Sequence, residues 1–86
     1  MWCCYRLRCV REVDGVELEH TARAFSESIA HACGGRWIFA SARPAQGSID
    51  AWYSLPRLPS DPQFGVQWNA QLAAHGLSAA RVPNRN

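Results

Sequence analysis

Tyr5-Arg6-Leu7-Arg8-Cys9-Val10-Arg11 alternates uncharged and charged side chains with the period of two that a half-buried strand requires. Tyr5, Leu7 and Cys9 fall on one face, Arg6 and Arg8 on the other. One face of this strand enters a core, and the other meets solvent or a partner.

The residues after it read as a helix start. Asp14 can cap, Glu17 can reach back as its capping-box partner, and Val13 can staple onto Leu18. An apolar stripe then runs through Leu18, Ala22, Phe25, Ile29 and Cys33, with Glu19, Arg23 and Glu27 four apart on the wet side. Gly34-Gly35 ends the helix, because glycine takes a left-handed C-cap without steric cost. Residues 36–42 and 49–55, rich in aromatic and apolar side chains, predict two strands joined by the turn-forming Pro44-Ala45-Gln46-Gly47-Ser48. Ser60 or Asp61 caps a second helix with proline in its first turn, and Phe64, Trp68 and Leu72 recur along one side, flanked by Val66, Ala70 and Ala73. His75 and Gly76 mark its end. Leu77–Val82 predicts a fourth strand cut off by Pro83, which makes residues 1–83 one α+β domain and 84–86 a frayed tail.

The order strand, helix, strand, strand, helix, strand resembles the ferredoxin-like βαββαβ two-layer sandwich. That resemblance implies an antiparallel sheet with two helices on one face and strands one and three at its centre. It rests on element order and carries no functional residues with it. Fitting the helix stripes to the sheet assigns Tyr5, Leu7, Cys9, Ile38, Ala40, Ala51, Tyr53 and Leu55 to the covered face. Arg6, Arg8, Trp37, Phe39, Trp52 and Ser54 are left on the open one, and a one-residue slip in the second strand would exchange its two sets.

With 86 residues and 48% apolar side chains, the chain is long enough for a two-layer core and too apolar to stay disordered. A net charge of +2 is too small to imply nucleic-acid binding by bulk electrostatics. The charges are segregated, however: Glu12, Asp14, Glu17, Glu19 and Glu27 gather in one segment, while every basic residue is an arginine and most lie elsewhere. No apolar run spans a bilayer and the first residues lack the regions of a signal peptide, so the expected location is cytoplasmic, with no membrane contact. Cys3, Cys4, Cys9 and Cys33 are then expected as free thiols.

These cysteines and His31 are zinc-ligand types, but none forms a C-x₂-C pair, so no metal site is expected. His20 and His31 are separated by about 16 Å of helix, too far to act on one atom. There is no nucleophile elbow or phosphate-cradling glycine loop. The arginine-bearing glycine-rich loop of acylphosphatases and the Cys-x-x-Cys loop of metal carriers are also missing. The reading is therefore non-catalytic, without a cofactor.

Guanidinium groups interleaved with rings at Arg6, Arg8, Trp37, Phe39 and Trp52 predict a partner-binding face, with Glu19 and Glu27 as a secondary acidic docking face. The expected function is a small protein-binding module that regulates or inhibits a larger intracellular assembly, as a phage-borne inhibitor of a host defence complex does, acting as a monomer or homodimer. An alternative is nucleic-acid binding by the same face, although the glycine-and-phenylalanine signature of the RNA-recognition motif is absent from Ile49 to Leu55. A second alternative is a dimeric ligand-sensing domain or enzyme.

Overall fold

The structure, a computed structural model, describes residues 1–83 without the side chains of Ser41, Arg43 and Pro44. The tail expected over 84–86 lies outside the described residues. The elements are β1 (Trp2–Cys9), α1 (Gly15–Cys33), β2 (Arg36–Arg43), β3 (Ser48–Ser54), α2 (Pro62–Ala74) and β4 (Leu77–Val82), with a short 3₁₀ turn at Pro44–Gln46. They form a four-stranded antiparallel sheet in the order β2-β3-β1-β4, with both helices on one face. This is the ferredoxin-like two-layer sandwich, with β1 and β3 at its centre.

Each helix begins where its capping residue satisfies otherwise unpaired amides. The Asp14 carboxylate accepts from the Glu17 amide at 2.8 Å, and Asp61 accepts from Gln63 and Phe64 at 3.0 and 3.1 Å. Glu17 itself pairs with Arg11 and does not reach back as a capping-box partner, because the guanidinium offers it a stronger donor. At the other end of α1, Gly34 takes φ 74°, the left-handed region that favours glycine.

The helix stripes meet the sheet face carrying Cys3, Tyr5, Leu7, Ile49, Ala51 and Tyr53. Phe25, Ile29, Phe64, Trp68 and Leu72 pack over these residues. Each large side chain fully buried there contributes about 1.5–3 kcal/mol. Trp68 is the hub, with ring centroids 5.0 Å from Tyr5, 5.1 Å from Phe25 and 5.5 Å from Tyr53. The Tyr53 hydroxyl is paired with Ser26 at 2.6 Å, so neither buried polar group is orphaned. Val66, expected beside the stripe of α2, points to solvent at 72% exposure.

The second strand corrects the expected faces. Trp37 is in register with Tyr53, and Phe39 with Ala51, so both rings lie on the helix side and pack against the core. Ile38, expected inside, is 56% exposed on the open face. Between Phe39 and Ser41 the register shifts by a β-bulge, which leaves Ala40 exposed as the extra residue. The physical reason is volume: β2 is an edge strand beneath α1, and two rings fill that margin as Ile38 and Ala40 cannot.

Candidate functional site

The open face of the sheet is formed by the even-numbered residues of β1 and β3 and their register partners. One row across it reads Ile38, Trp52, Cys4 and Val82; the next reads Asp50, Arg6 and Ala80; a third holds Ser48, Arg8 and Ser78. Trp2 lies beside the first row, opposite Ser54, which in turn faces Arg36. Directly opposed side chains have Cβ atoms about 5 Å apart and diagonal ones about 7–8 Å, so Trp2, Ile38, Trp52 and Val82 form one apolar cluster. Trp2 is 38% exposed, and Cys4 is buried at the cluster's centre although no helix covers this face.

Arg6 stands on this face as expected, but its guanidinium is already engaged. Nε donates to Asp50 Oδ1 at 2.8 Å and Nη2 to Oδ2 at 3.2 Å, a forked pair between register partners on adjacent strands. Asp50 is buried, and its hydrogen bonds hold the guanidinium pKa above its ordinary value. Arg6 therefore anchors the sheet and is not a free contact residue. Arg8 is exposed, and its Nη1 donates to the Gln46 carbonyl, tying β1 to the β2–β3 connection. Trp52 is half-buried on the open face, as expected.

Trp37 and Phe39 do not belong to this face. Their ring centroids are 4.9 Å apart beneath α1, and the Arg23 guanidinium caps them at 5.5 and 5.4 Å. Arg23 is therefore more than a rung of the surface ladder: it covers two edge rings by a cation–π contact. Glu19 and Glu27 are exposed on α1, in the opposite layer, with Glu19 at 3.9 Å from Arg23.

The face also carries Trp2, Ile38, Val82, Asp50 and Arg36, which the expected set leaves out. Trp2 was findable, since it shares the parity of Arg6 and Arg8. Asp50 shares the parity of Trp52 and Ser54, and only its pairing with Arg6 needs the β1–β3 register, whereas Ile38 is placed only once the phase of β2 is fixed.

The chemistry elsewhere is quiet. Burial and the nearby Glu17 carboxylate push the Cys9 thiol above its ordinary pKa, away from nucleophilic thiolate. His75 Nδ1 donates to the Gln71 carbonyl at 2.8 Å, closing the end of α2. Among the described residues, no group of three or more His, Cys, Asp or Glu gathers as metal ligands, and no helix is long and apolar enough to cross a membrane. Comparison with protein-family models and with curated proteins finds no match.

Proposed function

We propose that this domain is a non-catalytic protein-binding module of the cytoplasm that regulates or inhibits a larger assembly through the open face of its sheet. The observation that carries the reading is the cluster of Trp2, Ile38, Trp52 and Val82 on the side opposite both helices. Exposed indole and branched aliphatic groups gathered in one place favour association, since water is displaced from apolar area when they are covered. The partner's chemistry follows from the charges around the cluster. Arg36 is exposed beside the cluster, Arg8 is exposed at the far, polar end of the face, and Asp50, the one acid among the described side chains of the face, is neutralised by Arg6. An apolar protein surface rimmed by carboxylates is complementary to this arrangement.

Nucleic-acid binding is less well supported, because Arg6 is committed to Asp50 and the Trp37 and Phe39 rings are turned inward. Among the described side chains of the face, Arg8 and Arg36 are the remaining arginines, too few phosphate contacts for tight binding.

The test is capture from a lysate of the source cells, with and without nuclease treatment, by the wild-type domain and by Ile38→Asp, followed by calorimetry on the purified pair. Ile38 is half exposed, so the substitution leaves the core intact. Binding at least tenfold weaker for Ile38→Asp, and unchanged for Glu27→Ala on the opposite layer, is the expected result. Equal affinity for Ile38→Asp, retention that disappears with nuclease, or recovery of only a second copy of this chain would overturn the proposal.

A further inference from the structure

A second candidate site lies in the helix layer, on residues that the open sheet face does not use. It is a crevice of about 410 Å³ lined by Cys33 at the end of α1, Pro56 and Arg57 from the β3–α2 connection, and Gln63, Phe64 and Gln67 from the first turns of α2. That volume falls in the lower part of the range of ~300–1,000 Å³ typical of small-molecule sites. The chain around it is closely packed. A Cβ on Gly65 would stand 2.7 Å from the Pro59 carbonyl oxygen, so the loop lies directly against α2, and proline at 56 and 59 limits its freedom. The Cys33 thiol donates to the Ile29 carbonyl at 2.8 Å, which turns the sulfur back along α1 and leaves it as a half-buried wall.

The lining sorts into an apolar part, Cys33, Pro56 and Phe64, and a polar rim of Arg57 with two carboxamides. Arg57 Nη1 donates to Gln63 Oε1 at 3.2 Å and lies 4.0 Å from Asp61, and its side chain remains 60% exposed. The guanidinium is therefore oriented at the mouth with donors still facing solvent. Asp61 takes the amides of Gln63 and Phe64, so the N-terminus of α2 has no such donors left for a phosphate dianion. A single planar fork suits a carboxylate.

We propose that this crevice binds a small organic monocarboxylate whose apolar body rests on Cys33, Pro56 and Phe64 while its carboxylate meets Arg57. The probe is 3-phenylpropionate, with neutral 3-phenylpropionamide as the control, titrated into the full chain and followed through backbone amide shifts. Saturable shifts confined to Cys33, Arg57, Gln63, Phe64 and Gln67 are expected, with the amide binding at least tenfold more weakly. Arg57→Gln lowers carboxylate affinity about tenfold and leaves the amide unaffected. Gln67→Trp, placed from an exposed helix position to fill the crevice, abolishes binding of both. Non-saturable or scattered shifts, equal binding of acid and amide, or an unchanged affinity in Arg57→Gln would overturn the proposal. None of these outcomes bears on the sheet face.

Discussion

Two polar pairs show how single residues decide this molecule's behaviour. Tyr53 is buried with its hydroxyl on Ser26, and burial drives its pKa far above the ordinary phenol value, the hydrogen bond to Ser26 opposing that only in part. Tyr5 is raised as well, chiefly by burial, with the Arg81 guanidinium 5.9 Å from its ring working the other way. A group kept protonated in the fold but free to ionise when unfolded stabilises the fold fully below its unfolded pKa, and that stability drains away above it. Stability is therefore expected to fall as pH rises beyond about 10, with Tyr53 contributing a slope of about 1.4 kcal/mol per pH unit. Tyr53→Phe, measured by urea unfolding between pH 9 and 11.5, should be less stable than wild type at pH 9 and show a shallower alkaline decline. The Arg6–Asp50 pair makes a different prediction. Asp50→Asn leaves a guanidinium without its counter-charge, and Arg6→Leu leaves a buried carboxylate without its fork. Each should lower the urea midpoint, and the double variant should be less impaired than the sum of the two.

At the scale of elements, the close approach of α2 to its preceding loop overrides helix propensity. Alanine in place of glycine within a helix ordinarily adds about 1 kcal/mol of stability. Gly65→Ala should instead destabilise by about 1–3 kcal/mol, because its methyl group meets the Pro59 carbonyl at 2.7 Å and backbone must move. Thermal unfolding of the variant checks the sign. The same competition between local pattern and neighbours explains what was legible beforehand. The cap at Asp14, the stripe from Leu18 to Ile29 and the proline start of α2 follow from short-range rules, the central place of β1 follows from the element order, and all are found. The phase of β2 does not follow, because Arg36 to Ala40 alternates two plausible apolar sets. Its outcome depends on the space beneath α1, on the Arg23 guanidinium above the rings, and on a bulge that no local pattern announces. Inverting that one strand removed two of the five expected contact residues from the open face and placed Ile38 there.

For the whole molecule, the layers differ in both charge and polarity. The acids at Glu17, Glu19 and Glu27 belong to the helix layer, whereas the open sheet face carries Arg8, Arg36 and an apolar cluster. A two-layer sandwich covers its sheet on only one side, so the second side must either be polar or be covered by something else. Here one end of it is polar, around Arg8, Ser48 and Ser78, and the other presents Trp2, Ile38 and Trp52. That division is why a protein surface, engaged through the apolar end, is the favoured partner. The most direct measurement is fluorine NMR of protein labelled with 5-fluorotryptophan, alone and saturated with the purified partner. The account predicts that the Trp2 and Trp52 resonances shift and become shielded from a paramagnetic solvent probe, while the resonance of Trp68 in the core stays in place. Unchanged Trp2 and Trp52 signals in the saturated complex, or a response confined to Trp37 beneath α1, would contradict it.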